Sequence, residues 1–216
     1  DLVMGVSLDR GGFGLDLRHL SLQIGEPALR IGRVVGKVER GGSVVTLSGL
    51  RVDLPVSHVR VDGTVTSGGA RAELDLAVAS DTLAFREVGL FMPAVARIPL
   101  QPSFRARLTG PVDRLIADLD LQSRGGSARG RVTIVAGGDR PTVEGTLALV
   151  GVDPAPWSQT PAMAGSVTGQ TTFAVVFPRR AVQAGRPVPR PVSGRFTFAG
   201  PEAGAAGYEA QQVSVR

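Results

Sequence analysis

The stretch Pro102–Ser123, PSFRARLTGPVDRLIADLDLQS, decides the reading of the fold. Phe104, Ala106 and Leu108 occupy every second position, with Arg105 and Arg107 between them. After GPVD (Gly110–Asp113) the alternation resumes with Leu115, Ala117, Leu119 and Leu121, mostly interleaved with Arg114, Asp118 and Asp120. A period of two sends alternate side chains to opposite faces of an extended chain, so each half reads as a strand with one apolar and one wet face. A four-residue loop at GPVD would set Leu108 opposite Leu115, Ala106 opposite Ala117 and Phe104 opposite Leu119. On the wet face it would set Arg105 opposite Asp118.

The same alternation runs from end to end. Leu15 and Leu17 share one parity and Leu20, Leu22 and Ile24 the other, a slip that implies a bulge or tight bend. Leu50, Val52, Leu54 and Val56 give way to Val59, Val61 and Val65 after a similar slip. Ala72, Leu74, Leu76 and Val78 follow, then Val132 with Ile134, then Val143, Leu147 and Leu149. QTTFAVVF and SGRFTFAG close the series, and Gly/Pro clusters (RGGS, TSGG, AGGDRP) separate its members. The gaps fit hairpins and are too short for crossover helices, which predicts antiparallel strands in meander order. One helical stretch of about two turns is expected within DTLAFREVGLFMPAV (Asp81–Val95), with Asp81 as N-cap and Pro93 as terminator. VDPAPW (Val152–Trp157) reads as a short turn of the same kind, and the Pro/Arg-rich segment at about 178–193 as an extended loop. LQPSFRARLTG (Leu100–Gly110) and MAGSVTGQTTF (Met163–Phe173) form a weak internal repeat, each preceded by an apolar, proline-containing turn.

Composition narrows the function classes. The 216 residues carry a formal charge of +5, with no cysteine and one lysine, Lys37. Without thiols there is no disulfide framework and no thiolate ligand or nucleophile. The arginines alternate with Asp and Glu rather than forming runs, the pattern of a solvated face rather than of a nucleic-acid footprint. Trp157 and Tyr208 are alone of their kinds, so stacking platforms for single strands are missing, and no nucleic-acid partner is expected. The most apolar run, VGLFMPAVA (Val88–Ala96), falls far short of the roughly 18–20 residues of a membrane span. DLVMGVSLDR at the start lacks the charged lead and apolar core of a secretory signal. Since the chain starts and stops inside alternating patterns, it is expected to be one continuous stretch, 1–216, of a longer protein.

Chemistry-bearing residues are sparse. His19 and His58 lie in strand-like segments and read as ordinary strand histidines rather than members of a triad or zinc site. Asp118 with Asp120, and Glu73 with Asp75, are two apart on a strand, about 6.5–7 Å, a glycosidase-like spacing. The recurrence of arginines opposite such pairs makes them a solvated ladder. GSVTGQTT (Gly165–Thr172) lacks the lysine and spacing of a phosphate loop. No catalytic residue, metal site or cofactor is expected, and the chain is read as a non-enzyme.

A proline-bearing apolar turn, a strand ending in LTG, then VDRLIADLDLQSRGGSARGRVTI and EGTLALVGVDPAPW together resemble the TamB and AsmA-like family of bacterial envelope proteins. The resemblance covers most of Leu15 to Val176 and is strongest from Asp81 to Phe173. It implies an elongated, curled, taco-like β-groove that carries phospholipid acyl chains across the periplasm between inner and outer membranes. It also implies a parent chain anchored in the inner membrane, working with an outer-membrane barrel of the Omp85 type through parts not present in this sequence. The family brings no catalytic residues.

The expectation is therefore an all-β, curled antiparallel meander with one short helix near 81–95. Its groove lining would comprise Leu74, Leu76, Phe104, Leu108, Leu115, Leu119, Val132, Ile134, Leu147 and Leu149. The alternatives are a structural or adhesive β-sandwich or β-solenoid module whose apolar face closes on itself, and an assembly-factor domain that binds nascent outer-membrane proteins by edge pairing.

Overall fold

A computed structural model describes residues 2–9, 11–24, 29–69, 71–90, 96–137, 140–177, 181–183, 186–188, 193–205 and 208–215. The strands are β1 (Leu2–Asp9), β2 (Gly12–Ile24), β3 (Leu29–Gly41), β4 (Val44–Asp53), β5 (His58–Thr66), β6 (Glu73–Thr82), β7 (Ser103–Pro111), β8 (Arg114–Ser123), β9 (Gly126–Val135), β10 (Thr142–Val152) and β11 (Gly165–Val176). Then come β12 (Ala181–Gln183), β13 (Arg186–Val188), β14 (Ser193–Ala205) and β15 (Tyr208–Val215). Thirteen of these form one antiparallel sheet in the order β1 through β11, then β14 and β15, with every neighbour also next in the chain apart from the step over β12 and β13. β1 and β15 stand at opposite ends, so the sheet is an open, curled meander rather than a closed barrel. Apart from the β11–β14 step, local hairpins suffice to build it, because each strand pairs with the one just made.

Three local expectations are corrected. The β7–β8 connection is a two-residue turn, Val112–Asp113, since Pro111 still belongs to β7. The register is accordingly Leu108 opposite Ala117, Ala106 opposite Leu119 and Phe104 opposite Leu121, with Arg105 opposite Asp120 and Arg107 opposite Asp118. The shift is two residues, so every side chain stays on its anticipated face. The helix at Asp81–Val95 is one turn only, α1 (Phe85–Val88), because β6 runs on through Thr82. Ala84, with no side-chain bond, occupies the cap position foreseen for Asp81, and Pro93 lies outside the described residues. The segment read as an extended loop at 178–193 contains the small β12–β13 hairpin.

The short helical turn expected at VDPAPW is present as a second helix, α2 (Pro154–Ser158), followed by a 3-10 turn at Pro161–Met163. Asp153 caps it, its Oδ1 accepting from the Ala155 amide at 3.0 Å, and Pro154 starts it. The slips in β2 are real: its register with β3 shifts between Leu17 and Leu20 and again between Leu20 and Leu22. The slip after Val56 is the β4–β5 turn, closed by the Leu54 amide donating to the Ser57 carbonyl at 2.8 Å.

Buried apolar residues fall in two places. Val34, Ala117, Val132 and Phe198 lie on one face of the sheet, while Ala84, Phe85 and Ile98 lie in the β6–β7 connection at its rim. Gly63 in β5 marks a close strand approach: its φ is +138°, and a Cβ there would sit 2.1 Å from the Asp75 carbonyl oxygen.

Candidate apolar groove

Directly paired residues in an antiparallel sheet point to the same face, so the registers trace transverse rows. One row runs Gly63, Leu76, Leu108, Ala117, Val132, Gly145, Phe173 and Phe196. The next runs Leu50, Val61, Val78, Ala106, Leu119, Gly130, Leu147, Thr171 and Phe198. A third carries Val59, Ser80, Phe104, Leu121, Ala128 and Leu149, and a fourth Leu115, Ile134, Val143 and Val175. In the first three rows small residues interrupt the large ones: Gly63, Ala117 and Gly145 in the first, Ala106 and Gly130 in the second, Ser80 and Ala128 in the third.

All ten residues named from the sequence share this face. Leu74 pairs with Val65 and Gly110, beside the first row. Val132 is buried and the other nine are half-buried. Missing from that set are Val45, Leu47, Leu50 and Val52 of β4, Val59, Val61 and Val65 of β5, and Phe173 and Phe198 further on, which extend the apolar floor across most of the sheet. Their alternation was visible in the sequence for β4 and β5, but the pairing that joins them to the rest was not. The two hydroxyls in these rows are turned to main chain: Ser80 Oγ donates to the Thr82 carbonyl at 2.7 Å and Thr171 Oγ1 to the Thr197 carbonyl at 3.2 Å. The floor thus offers no free hydroxyl at either position.

The opposite face is a charged ladder. Arg107 grips Asp75 through two hydrogen bonds at 3.1 and 3.0 Å, Arg131 grips Asp118 at 2.7 and 3.1 Å, and Arg129 pairs with Asp120. Arg131 holds the Asp118 carboxyl below the usual carboxylate range, and Arg129 does the same for Asp120. Asp62 is lowered by the Gly49 amide, which donates to its Oδ1 at 2.5 Å, with Arg60 adding to the effect. Asp75 raises Arg107, and Asp118 raises Arg131. Asp118 and Asp120, one of the two pairs with glycosidase-like spacing, are therefore ion-paired and anionic. Exposed pairs of this kind stabilise little individually, because water screens them. A hollow of about 840 Å³ lies on this face over Ala77 and Ala79, walled by Arg60, Arg105 and Arg107. An acyl chain laid there would strip water from guanidinium and carboxylate groups, so the hollow is a poor hydrocarbon site despite its size.

His58 Nδ1 lies 3.0 Å from Asp53 Oδ1, the one His–carboxylate contact among the described residues. The adjacent Ser57 is fully buried and its hydroxyl accepts from the Ala84 amide at 2.8 Å, so it is not presented as a nucleophile. Among the described residues no group of three His, Cys, Asp or Glu could hold a metal ion, and no helix is long and apolar enough to cross a membrane.

No family model, characterised protein or solved structure matches the chain. The resemblance to the TamB and AsmA-like proteins rests on the quoted motifs.

Proposed function

We propose that the apolar face is a hydrocarbon-binding groove, one stretch of a conduit that carries phospholipid acyl chains between the membranes of a bacterial envelope. It acts by binding rather than by catalysis, in the periplasm, and supports outer-membrane biogenesis. The observation that carries this reading is the run of apolar rows perpendicular to the strands, in a single open sheet whose other face is a charged ladder. A one-sided apolar sheet needs a hydrophobic cover, and a lipid tail can supply it. At roughly 25 cal/mol per Å², or about 0.8 kcal/mol per CH₂, a hexadecyl chain removed from water gains on the order of 10 kcal/mol. Such contacts are non-directional, so a chain held this way can also slide along the rows.

The test is lipid capture by the whole chain. Native mass spectrometry, and photocrosslinking from Leu108 and Leu119, should find phospholipid on the protein. Leu119→Asp should lower binding of a fluorescent fatty acid at least tenfold, because its carboxylate would be buried under the hydrocarbon, while circular dichroism keeps the strand signal. Absence of lipid from the wild-type chain, with little uptake of the fatty acid, would instead favour a face closed on itself as a structural module.

A further inference from the structure

Two insertions at one rim of the sheet, described over residues 83–90 and 96–102 and over 153–164, form a small cap. The β6–β7 connection (residues 83–102) and the β10–β11 connection (residues 153–164) contain two carboxylates, Glu87 and Asp153. Both are turned inward. Glu87 is buried and accepts from the Val56 and Ser57 amides at 2.9 Å each; Asp153 accepts from the Ala155 and Gly165 amides at 3.0 and 3.1 Å. Outward the cap presents Arg86 and Arg97, joined by Arg124 of the β8–β9 turn, against which Leu100 packs. All three arginines are exposed and none is ion-paired among the described residues. The cap also leaves Trp157 40%, Met163 37% and Leu90 37% exposed.

We infer that this rim is a membrane-docking surface whose partner is an anionic phospholipid bilayer. Unpaired guanidiniums with no outward carboxylate on the cap match phosphate headgroups, which they bind bidentately. An exposed tryptophan anchored on Phe85, with an exposed methionine and leucine on the same cap, matches the boundary between headgroups and hydrocarbon, where an amphipathic ring is most stable. An acidic protein would answer the arginines but would not call for the exposed apolar trio, so the bilayer is the partner that uses both features. The site goes beyond the groove reading and involves none of its lining residues. If the groove does carry lipid, the rim would hold it against a source of that lipid.

The experiment is flotation of the whole chain with phosphatidylcholine vesicles, with and without phosphatidylglycerol, read together with Trp157 emission. Trp157 is the chain's one tryptophan, so its signal reports the cap alone. The wild type should float with the anionic vesicles, lose binding as salt rises, and shift its emission to the blue. Arg86→Ala, Arg97→Ala and Arg124→Ala combined should lower partitioning on the order of 100-fold. Met163→Asp should abolish the blue shift with the fold intact. Leu119→Asp, a groove variant, should float like the wild type, so failure of the groove reading and of the docking reading are distinguishable. Equal partitioning to neutral and anionic vesicles, or an unchanged triple-arginine variant, would overturn the proposal. So would a wild type that ignores vesicles and binds polyglutamate instead.

Discussion

Phe85 and Trp157 meet edge to face, with ring centroids 5.7 Å apart and planes at 63°. They belong to insertions that leave the sheet after β6 and after β10, so their contact bridges the ends of the strands between. Around it the rim is stitched by main-chain bonds: Leu83 to Pro102 at 2.9 Å and Asp153 to Gly125 at 3.0 Å. Elsewhere the extensive contacts lie between strands adjacent in the sheet. This contact therefore links the two insertions through side chains rather than through strand pairing.

Phe85→Ala should remove the bridge. Phe85 is 8% exposed, and deletion of so large a buried ring costs about 3 kcal/mol. Urea unfolding followed by Trp157 emission should show a lower midpoint, and the native emission should shift to the red. A midpoint within error of the wild type would mean the two rings touch without supporting the rim.

Glu87→Gln should be destabilising although it is nearly isosteric. The carboxylate accepts from two amides, and an amide side chain has only one accepting oxygen and would set an N–H against a main-chain N–H. The expected loss is about 1–3 kcal/mol. Measured stability should order wild type, Glu87→Gln and Glu87→Ala from highest to lowest.

Gly63→Ala should cost about 2 kcal/mol, since it adds a Cβ at φ +138° within 2.1 Å of main-chain oxygen. Gly11→Ala, where a Cβ meets nothing within 4 Å, is the control and should be near neutral. Thermal midpoints of the two variants give the comparison.

Stability should fall in acid, and the sign follows from the carboxylates. The folded-state values of Asp62, Asp118 and Asp120 are lowered. Their contribution is present above the unfolded carboxylate value, about 3.9, and is lost as pH falls through the depressed folded values. Urea midpoints should be level near neutrality and decline below about pH 4. Asp118→Asn with Asp120→Asn should flatten that decline, modestly because both groups are exposed.

The ten residues picked from alternation share one face even though the β7–β8 register was offset, because a two-residue shift preserves a two-residue period. For the same reason Asp118 and Asp120 stayed on the wet face while their partners changed: the arginines that grip them come from β9, Arg131 and Arg129. The weak repeat LQPSFRARLTG and MAGSVTGQTTF also has a structural counterpart, for each leads out of a rim insertion into a strand, β7 and β11.

The sequence by itself determined most of the strands, though not β3 or the β12–β13 hairpin, together with their meander order and the two-faced character of each, since side-chain alternation is local and survives errors of register. The tertiary structure alone decided the turn length at Val112–Asp113, the joining of separate apolar stripes into continuous rows, and the meeting of Phe85 with Trp157. Those depend on how distant segments come together in space, and a period of two carries no information about distance across the sheet.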